Sequence, residues 1–433
     1  MKDTLDVNRS KNRIENTFIA VVCVLLFIAL LIFLIIRKSG MKEEPTVNPN
    51  QQSNIEVSVG EMNSGTDETE TASTGIDVLV DEDNVINDAD SIAGEAEAGM
   101  VNEQEVPENT YVLPEKDTVT FTFAGDVLLD ENYAVMSTYL ACGSVLEDCI
   151  DPELLDIMRD SDVFMINNEF PFTDRGTPRA NKAFTFRADP ASVELLHEMG
   201  VDIVSLANNH ASDYGEISLL DTLDTLESAG IPYVGAGRDL EEASKVIFYQ
   251  KGDMRIGVVA ATEVERMESP DTKGATEDSP GTFRCYQNDA LEEVIREAKK
   301  ECDFLIVYVH WGTESTDQLD WSQPGQAEDF TAAGADVIIG AHPHVLQEIA
   351  YVNGVPVFYS LGNYWFNSKT QNSCLVTLEV GDEGLVSAKF IPCRTENSRT
   401  KVADAAETER ILDYMRRLSD GVVIDEDGYV TAE

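Results

Sequence analysis

The sequence predicts an α/β fold: a layered domain with mixed sheets, preceded by one transmembrane helix and a disordered acidic linker. Three observations carry this prediction. Helical and strand patterns alternate from about Thr118 to Gly340, and hairpin patterns follow them. Positions 17–36, TFIAVVCVLLFIALLIFLII, contain no charged residue. Positions 43–117 hold twenty Asp or Glu and a single Lys.

Residues 1–16 are polar, carry Lys2, Arg9, Lys11 and Arg13, and read as a cytoplasmic tail. A helix over 17–36 rises ~1.5 Å per residue and spans ~30 Å, the thickness of a bilayer core. Arg37 and Lys38 follow at once and no A-x-A pattern appears, so the stretch reads as an uncleaved signal anchor. Residues 37–117 are poor in aromatics and rich in Asp, Glu, Ser and Thr, the composition of a disordered tether. These segments place the folded domain outside the cytoplasmic membrane.

The folded domain is expected over 118–395. TVTFTFAG (118–125) alternates and is β-branched, which predicts a strand. DVFMIN (162–167), VDIVSLA (201–207), FLIVYVH (304–310) and DVIIG (336–340) are short apolar runs that read as buried strands, the last ended by Gly340. Helices are expected from Pro152 to Met158 and over 190–200, 217–230, 289–301 and 327–335. KVIFYQ (245–250) and MRIGVVAAT (254–262) pair across Lys251-Gly252-Asp253, and a second hairpin turns within 373–393. Residues 396–433 add a helix near 404–419 and a short DEDG hairpin.

The formal net charge is −49, and residues 118–433 carry −34 of it. Such a surface repels nucleic acid and anionic lipid, and attracts divalent cations. The seven cysteines include no C-x-x-C pair, which excludes a zinc ribbon or a thioredoxin-like motif. Cys142 with Cys149, and Cys374 with Cys393 across the hairpin, are candidate disulfides if the domain faces an oxidising compartment. As small buried hydrophobes they would be equally at home.

Five loops at strand ends carry ligand-type side chains. They offer Asp126; Asn167, Asn168 and Glu169; Asn208, Asn209, His210 and Asp213; His310 and Glu314; and His342 with His344 in GAHPH (340–344). Four of the five histidines follow apolar runs, while His197 sits inside a helical pattern. Carboxylates, amides and imidazoles together suit one or two divalent ions of the Mn, Fe or Zn type, rather than an all-oxygen Ca site or a thiolate Zn site.

ANNHASDYG, VHWGTE, GAHPHVLQ and YSLGNYWF occur in this order, after an Asp at one strand end and an Asn-Asn-Glu at the next. The series resembles the CapA/PgsA family of capsule (poly-γ-glutamate) synthesis proteins, within the calcineurin-like metallophosphoesterase superfamily. The resemblance covers about residues 118–395. It implies an α/β/β/α sandwich in which Asp126 and His344 ligate a first metal. Glu169 would bridge, and Asn209, His310 and His342 would ligate a second. His210 would contact a substrate oxygen or act as acid, and Asp213 could orient it. Asn168, Lys182 and Arg187 are candidate contacts for an anionic group. The superfamily's first motif is Asp-x-His, whereas this chain reads Asp126-Val127-Leu128, one histidine short at the first metal. The resemblance implies a part in surface-polymer synthesis or export beside a membrane polymer-synthase complex. The ligand set by itself also suits a phosphoesterase of a small or lipid-linked phosphate, or a metal-bearing binding module without catalysis.

Overall fold

The computed structural model describes residues 109–264 and 272–433. The predicted transmembrane helix and nearly all of the predicted linker lie outside these residues. Among the described residues, no helix is long and apolar enough to cross a membrane.

In chain order the strands are β1 (Thr110–Val112), β2 (Val119–Val127), β3 (Val163–Asn168), β4 (Ile203–Ser205), β5 (Tyr233–Val234), β6 (Ala236–Gly237), β7 (Ile247–Lys251), β8 (Met254–Thr262), β9 (Gly281–Thr282) and β10 (Phe304–His310). They continue as β11 (Val337–Ala341), β12 (Ile349–Val352), β13 (Val355–Phe358), β14 (Asn363–Trp365), β15 (Gln371–Gly381), β16 (Gly384–Glu396), β17 (Arg399–Val402), β18 (Val422–Ile424) and β19 (Val430–Ala432). One sheet has the order β1-β7-β8-β10-β11-β13-β12, with β8, β10, β11 and β13 mutually parallel. The other has the order β17-β16-β15-β2-β3-β4-β5, parallel from β2 to β5 and antiparallel on the side of β15, with β14 added beside β2.

The two sheets face each other across an apolar core that includes Phe121, Phe123, Met165, Ile256, Ile306, Ile339 and Val376. Helices Ala134–Ala141, Pro152–Asp160, Glu194–Met199 and Glu216–Ala229 cover the outer face of the second sheet. Asp289–Ala298 and Gln323–Ala333 cover the outer face of the first. This is a helix, sheet, sheet, helix sandwich. All seven residues of β10 are buried, as a strand covered on both faces requires. Gly200 and Gly230 end their helices in the left-handed conformation, where a missing Cβ removes the steric cost. Asp404 and Glu407 form a capping box that starts Ala405–Leu418. That helix and the β18/β19 hairpin send Ile411, Leu412, Met415, Val422, Ile424 and Val430 into the inter-sheet core.

Four details differ from the sequence reading. Residues 110–112, expected in the linker, form edge strand β1 against β7. The stretch before YSLGN is a hairpin, β12/β13, turning at Asn353 (φ 53°) and Gly354 (φ 82°). Cys374 and Cys393 do not face one another. Register pairs Cys374 with Pro392, and the two-residue alternation sends Cys374 to the inter-sheet core and Cys393 to the helix-covered face. Cys149 does lie against Cys142, but both thiols are free, and burial pushes that of Cys149 up to about 11. Finally, Gly340 does not end its strand. It lies inside β11, where a Cβ would come within 2.1 Å of the Tyr359 carbonyl oxygen and 2.5 Å of the Trp311 indole nitrogen. Gly340→Ala should therefore destabilise the fold by at least ~2 kcal/mol. A urea denaturation midpoint unchanged from wild type would refute this.

Candidate metal centre

The ligand-type residues converge because parallel strands in both sheets end at one edge of the sandwich. Asp126 is the penultimate residue of β2, Glu169 follows β3, and Asn209 and His210 follow β4. His310 closes β10 and His342 and His344 follow β11. Open α/β sheets build sites at this carboxyl edge.

Glu169 is at the centre. Its Oε1 lies 3.8 Å from His210 Nε2, 3.9 Å from His310 Nε2 and 3.8 Å from His344 Nε2. That oxygen is buried and has no hydrogen-bond partner. Oε2 accepts from Asn167 Nδ2 at 3.1 Å. Two overlapping groups can each hold a cation: Glu169, His310 and His342, and Asp126, Glu169 and His344. Asn209 Oδ1 sits 3.0 Å from His310 Nε2, beside the group that holds His342. His344 Nδ1 lies 2.9 Å from Asp126 Oδ2 and 2.9 Å from Asn363 Oδ1, in the group that holds Asp126.

A buried carboxylate oxygen without a donor costs the full loss of its hydration. The His342 Nδ1 is orphaned in the same way. Divalent cations satisfy both atoms at once, so the residues present fit such ions. Protonation states agree. Burial and the neighbouring Asp126 charge raise the Glu169 carboxyl well above the carboxylate range. Burial also acts to raise Asp126, but hydrogen bonds from His344 and Asn167 outweigh it and hold that carboxyl low. Burial, then the other imidazoles, pull His310 well below its ordinary value and His342 to about 3. Burial acts to lower His344 too, yet its contact with Asp126 leaves it raised. Like-charge and desolvation penalties of this kind disappear around a cation.

The GAHPH loop reaches the cluster through unusual backbone. His342 has φ 99° and His344 φ 58°, both in the region that favours glycine. Such conformations cost on the order of 1–3 kcal/mol each for non-glycine residues and gather at functional sites. They turn two imidazoles separated only by Pro343 toward different ligand groups, with ring centroids 6.0 Å apart.

The remaining candidates divide. His210 Nδ1 bonds Asp213 Oδ2 at 2.6 Å, which orients the imidazole with Nε2 toward Glu169. Burial lowers the pKa of His210, against the raising pull of Asp213. Lys182 Nζ lies 2.6 Å from Asp213 Oδ1 and also donates to the Asn209 carbonyl, so it stands behind His210. The Arg187 guanidinium stacks 4.7 Å from the centre of the Tyr214 ring. The Asn168 side chain leaves the cluster. Alternation along β3 points it to the helix-covered face, where it donates to the Phe170 carbonyl at 2.7 Å. Its neighbour Asn167 takes the inner face and bonds Asp126 Oδ1 at 2.8 Å. Leu128 is buried in the outer apolar core and supplies no donor. The sequence reading did not single out Asn363, nor Phe186 and Phe366, whose rings lie 4.2 Å from His210 and 4.7 Å from His344.

Fold and cluster together define a two-sheet α/β protein with paired metal-ligand groups at one sheet edge. Residues 120–368 match the family described as bacterial capsule synthesis protein PGA_cap, and the chain belongs to that family. It is 33% identical over 272 residues to the PGA biosynthesis protein CapA of Bacillus subtilis, covering 62% of this chain and 69% of that one. It is 27% identical over 309 residues to the capsule biosynthesis protein CapA of Bacillus anthracis, covering 69% and 72%. A probable polyglutamine synthesis accessory protein of Mycobacterium tuberculosis is 28% identical over 282 residues, covering 60% and 73%. Among solved structures, a hypothetical protein of Thermus thermophilus aligns over 64% of this chain and all of its own, at TM-score 0.39 and 14% identity. The sulfate thiohydrolase SoxB of the same organism aligns over 66% and 58%, at TM-score 0.36 and 13% identity. At these scores the likeness is distant and carries no functional weight.

Two outcomes follow from the geometry. Burial favours the protonated form of Glu169 and so opposes ion binding, and Mn²⁺ uptake should therefore release protons and tighten as pH rises. Calorimetry in buffers of different ionisation enthalpy reads this, and a pH-independent affinity contradicts it. In metal-free protein, His342→Gly should be more stable than His342→Ala by ~1 kcal/mol, because glycine adopts that φ without the steric cost alanine meets. Equal melting temperatures would show that the loop relaxes instead.

Proposed function

We propose that this protein is a membrane-tethered, extracytoplasmic member of its family. It serves synthesis or export of an anionic surface polymer of the poly-γ-glutamate type through a metal-dependent, phosphoesterase-like site. The observation that carries the site is the partnerless Glu169 oxygen among three imidazole nitrogens. The uncharged stretch 17–36 supports the tether, and the family and its named relatives support the polymer.

Asp126, Glu169 and His344 would hold one divalent ion, and Glu169, Asn209, His310 and His342 another. Bound there, the ions supply Lewis acidity toward the oxygens of a phosphoester. The chain's own residues do the rest. Asp213 holds His210 Nδ1, so Nε2 is the atom that exchanges a proton with a bound group. Lys182 holds Asp213 in place. Phe186 and Phe366 wall the imidazoles from water on one side.

The full-length protein stripped of metal and reloaded with Mn²⁺ should hydrolyse a generic phosphodiester, and His210→Ala should lower turnover by about 10²-fold or more. No turnover with any divalent metal and any phosphoester refutes the hydrolytic reading. Deleting the gene in a polymer-making host tests the biological role separately: unchanged surface polymer refutes it.

A further inference from the structure

We propose that Asn363 is a fourth protein ligand of the Asp126–Glu169–His344 position and makes that position selective for harder divalent ions. The proposal rests on the cluster being a metal centre. Three donors are one fewer than the four a closed site usually supplies. Asn363 begins β14, which pairs with β2 so that Asn363 stands beside Asp126. It is buried, and its Oδ1 comes within 2.9 Å of His344 Nδ1.

The orientation of this amide is fixed by its neighbours. The His344 carbonyl oxygen can only accept, so it takes Gln371 Nε2, at 3.2 Å. Gln371 then turns Oε1 toward Asn363 Nδ2, at 3.3 Å. That leaves Asn363 Oδ1 facing the cluster. His344 Nδ1 is therefore approached by two acceptors, Asp126 Oδ2 and Asn363 Oδ1, each at 2.9 Å, while one ring nitrogen has at most one hydrogen to give. A cation resolves this, since all three atoms then act as donors to it. Ligands about 2.1 Å from an ion and at right angles to one another stand about 3 Å apart, which matches these separations. The partnerless Glu169 Oε1, 3.8 Å from His344 Nε2, is the independent sign of a cation in this cluster.

The two positions then differ in kind. The first draws oxygens from Asp126, Glu169 and Asn363 and one nitrogen from His344. The second draws two oxygens, from Glu169 and Asn209, and two nitrogens, from His310 and His342. Oxygen-rich sets suit Mn²⁺ and Mg²⁺, and imidazole-rich sets suit Zn²⁺.

Full-length protein stripped by chelation is titrated calorimetrically with Mn²⁺ and, separately, Zn²⁺. Wild type should take two Mn²⁺ per chain. Asn363→Ala should weaken one of the two steps by at least about tenfold. Asp126→Ala and Asn209→Ala assign the steps to the first and second positions. Asn363→His should shift the first position toward Zn²⁺ over Mn²⁺ by about tenfold, a change that a residue merely steadying His344 would not produce. Thermal melting of the stripped variants checks folding. If the alanine variant is unfolded, Asn363→Gln, which displaces the oxygen by one methylene, replaces it with the same expectation. Two Mn²⁺ steps in Asn363→Ala that superimpose on wild type overturn the assignment. So does a wild type that holds one ion, lost in Asn209→Ala and kept in Asn363→Ala. A wild type that binds no ion overturns the metal reading as well, and is seen before any variant is compared.

Discussion

The structure depends on placing one carboxylate, Glu169, where water does not reach and three imidazoles do. Folding buries its Oε1 with no donor. The surroundings share the burden in graded ways. Hydrogen bonds from His344 and Asn167 hold the Asp126 carboxyl low against its burial, while burial and the Asp126 charge push the Glu169 carboxyl up. Burial pulls the His310 and His342 imidazoles below their ordinary values, and His342 Nδ1 has no partner. Neutral imidazoles around a carboxyl group are a poor arrangement by themselves and a good one around a cation. The frame is rigid enough to enforce it, because β2, β3 and β10 are almost wholly buried.

The electrostatics of the folded region place positive charge where it is scarce. Residues 118–433 carry −34, so an anionic ligand meets repulsion over most of the surface. The two cations expected to help, Lys182 and Arg187, are engaged with Asp213 and the Tyr214 ring. Under the proposed function, the attraction for an anion comes from the ions at Glu169 rather than from basic side chains. A site of this kind switches with metal supply: emptied, it is one more acidic patch.

Much of this was legible in the chain. Apolar runs bounded by glycine gave the central strands, and ligand-type residues after those runs gave the cluster, because parallel strands end together. What escaped had specific causes. Asn167 and Asn168 are chemically identical neighbours, and only the phase of β3, read from Met165 facing inward, tells which one enters the site. Asn363 carries no signal in SLGN until β14 is known to lie beside β2. Asn353-Gly354 is a strong hairpin signal that the run VPVFYSLGN obscured. Cys374 and Cys393 were matched by hairpin distance, but the register displaces them by one residue and reverses a face. Residues 110–112 have acidic neighbours on the linker side and join the sheet through main-chain pairing with β7.

The positive φ at 342 and 344 limits what can replace the two histidines. Side chains tolerated at such angles are few: glycine, asparagine, aspartate and, less readily, histidine. Three of these four are metal ligands. Ordinary substitution at either position therefore tends either to vacate the ligand or to exchange nitrogen for oxygen, with the main chain left where it is. The loop is a fixed mount, on which a change of residue at either position changes the donor atom while the main chain stays in place.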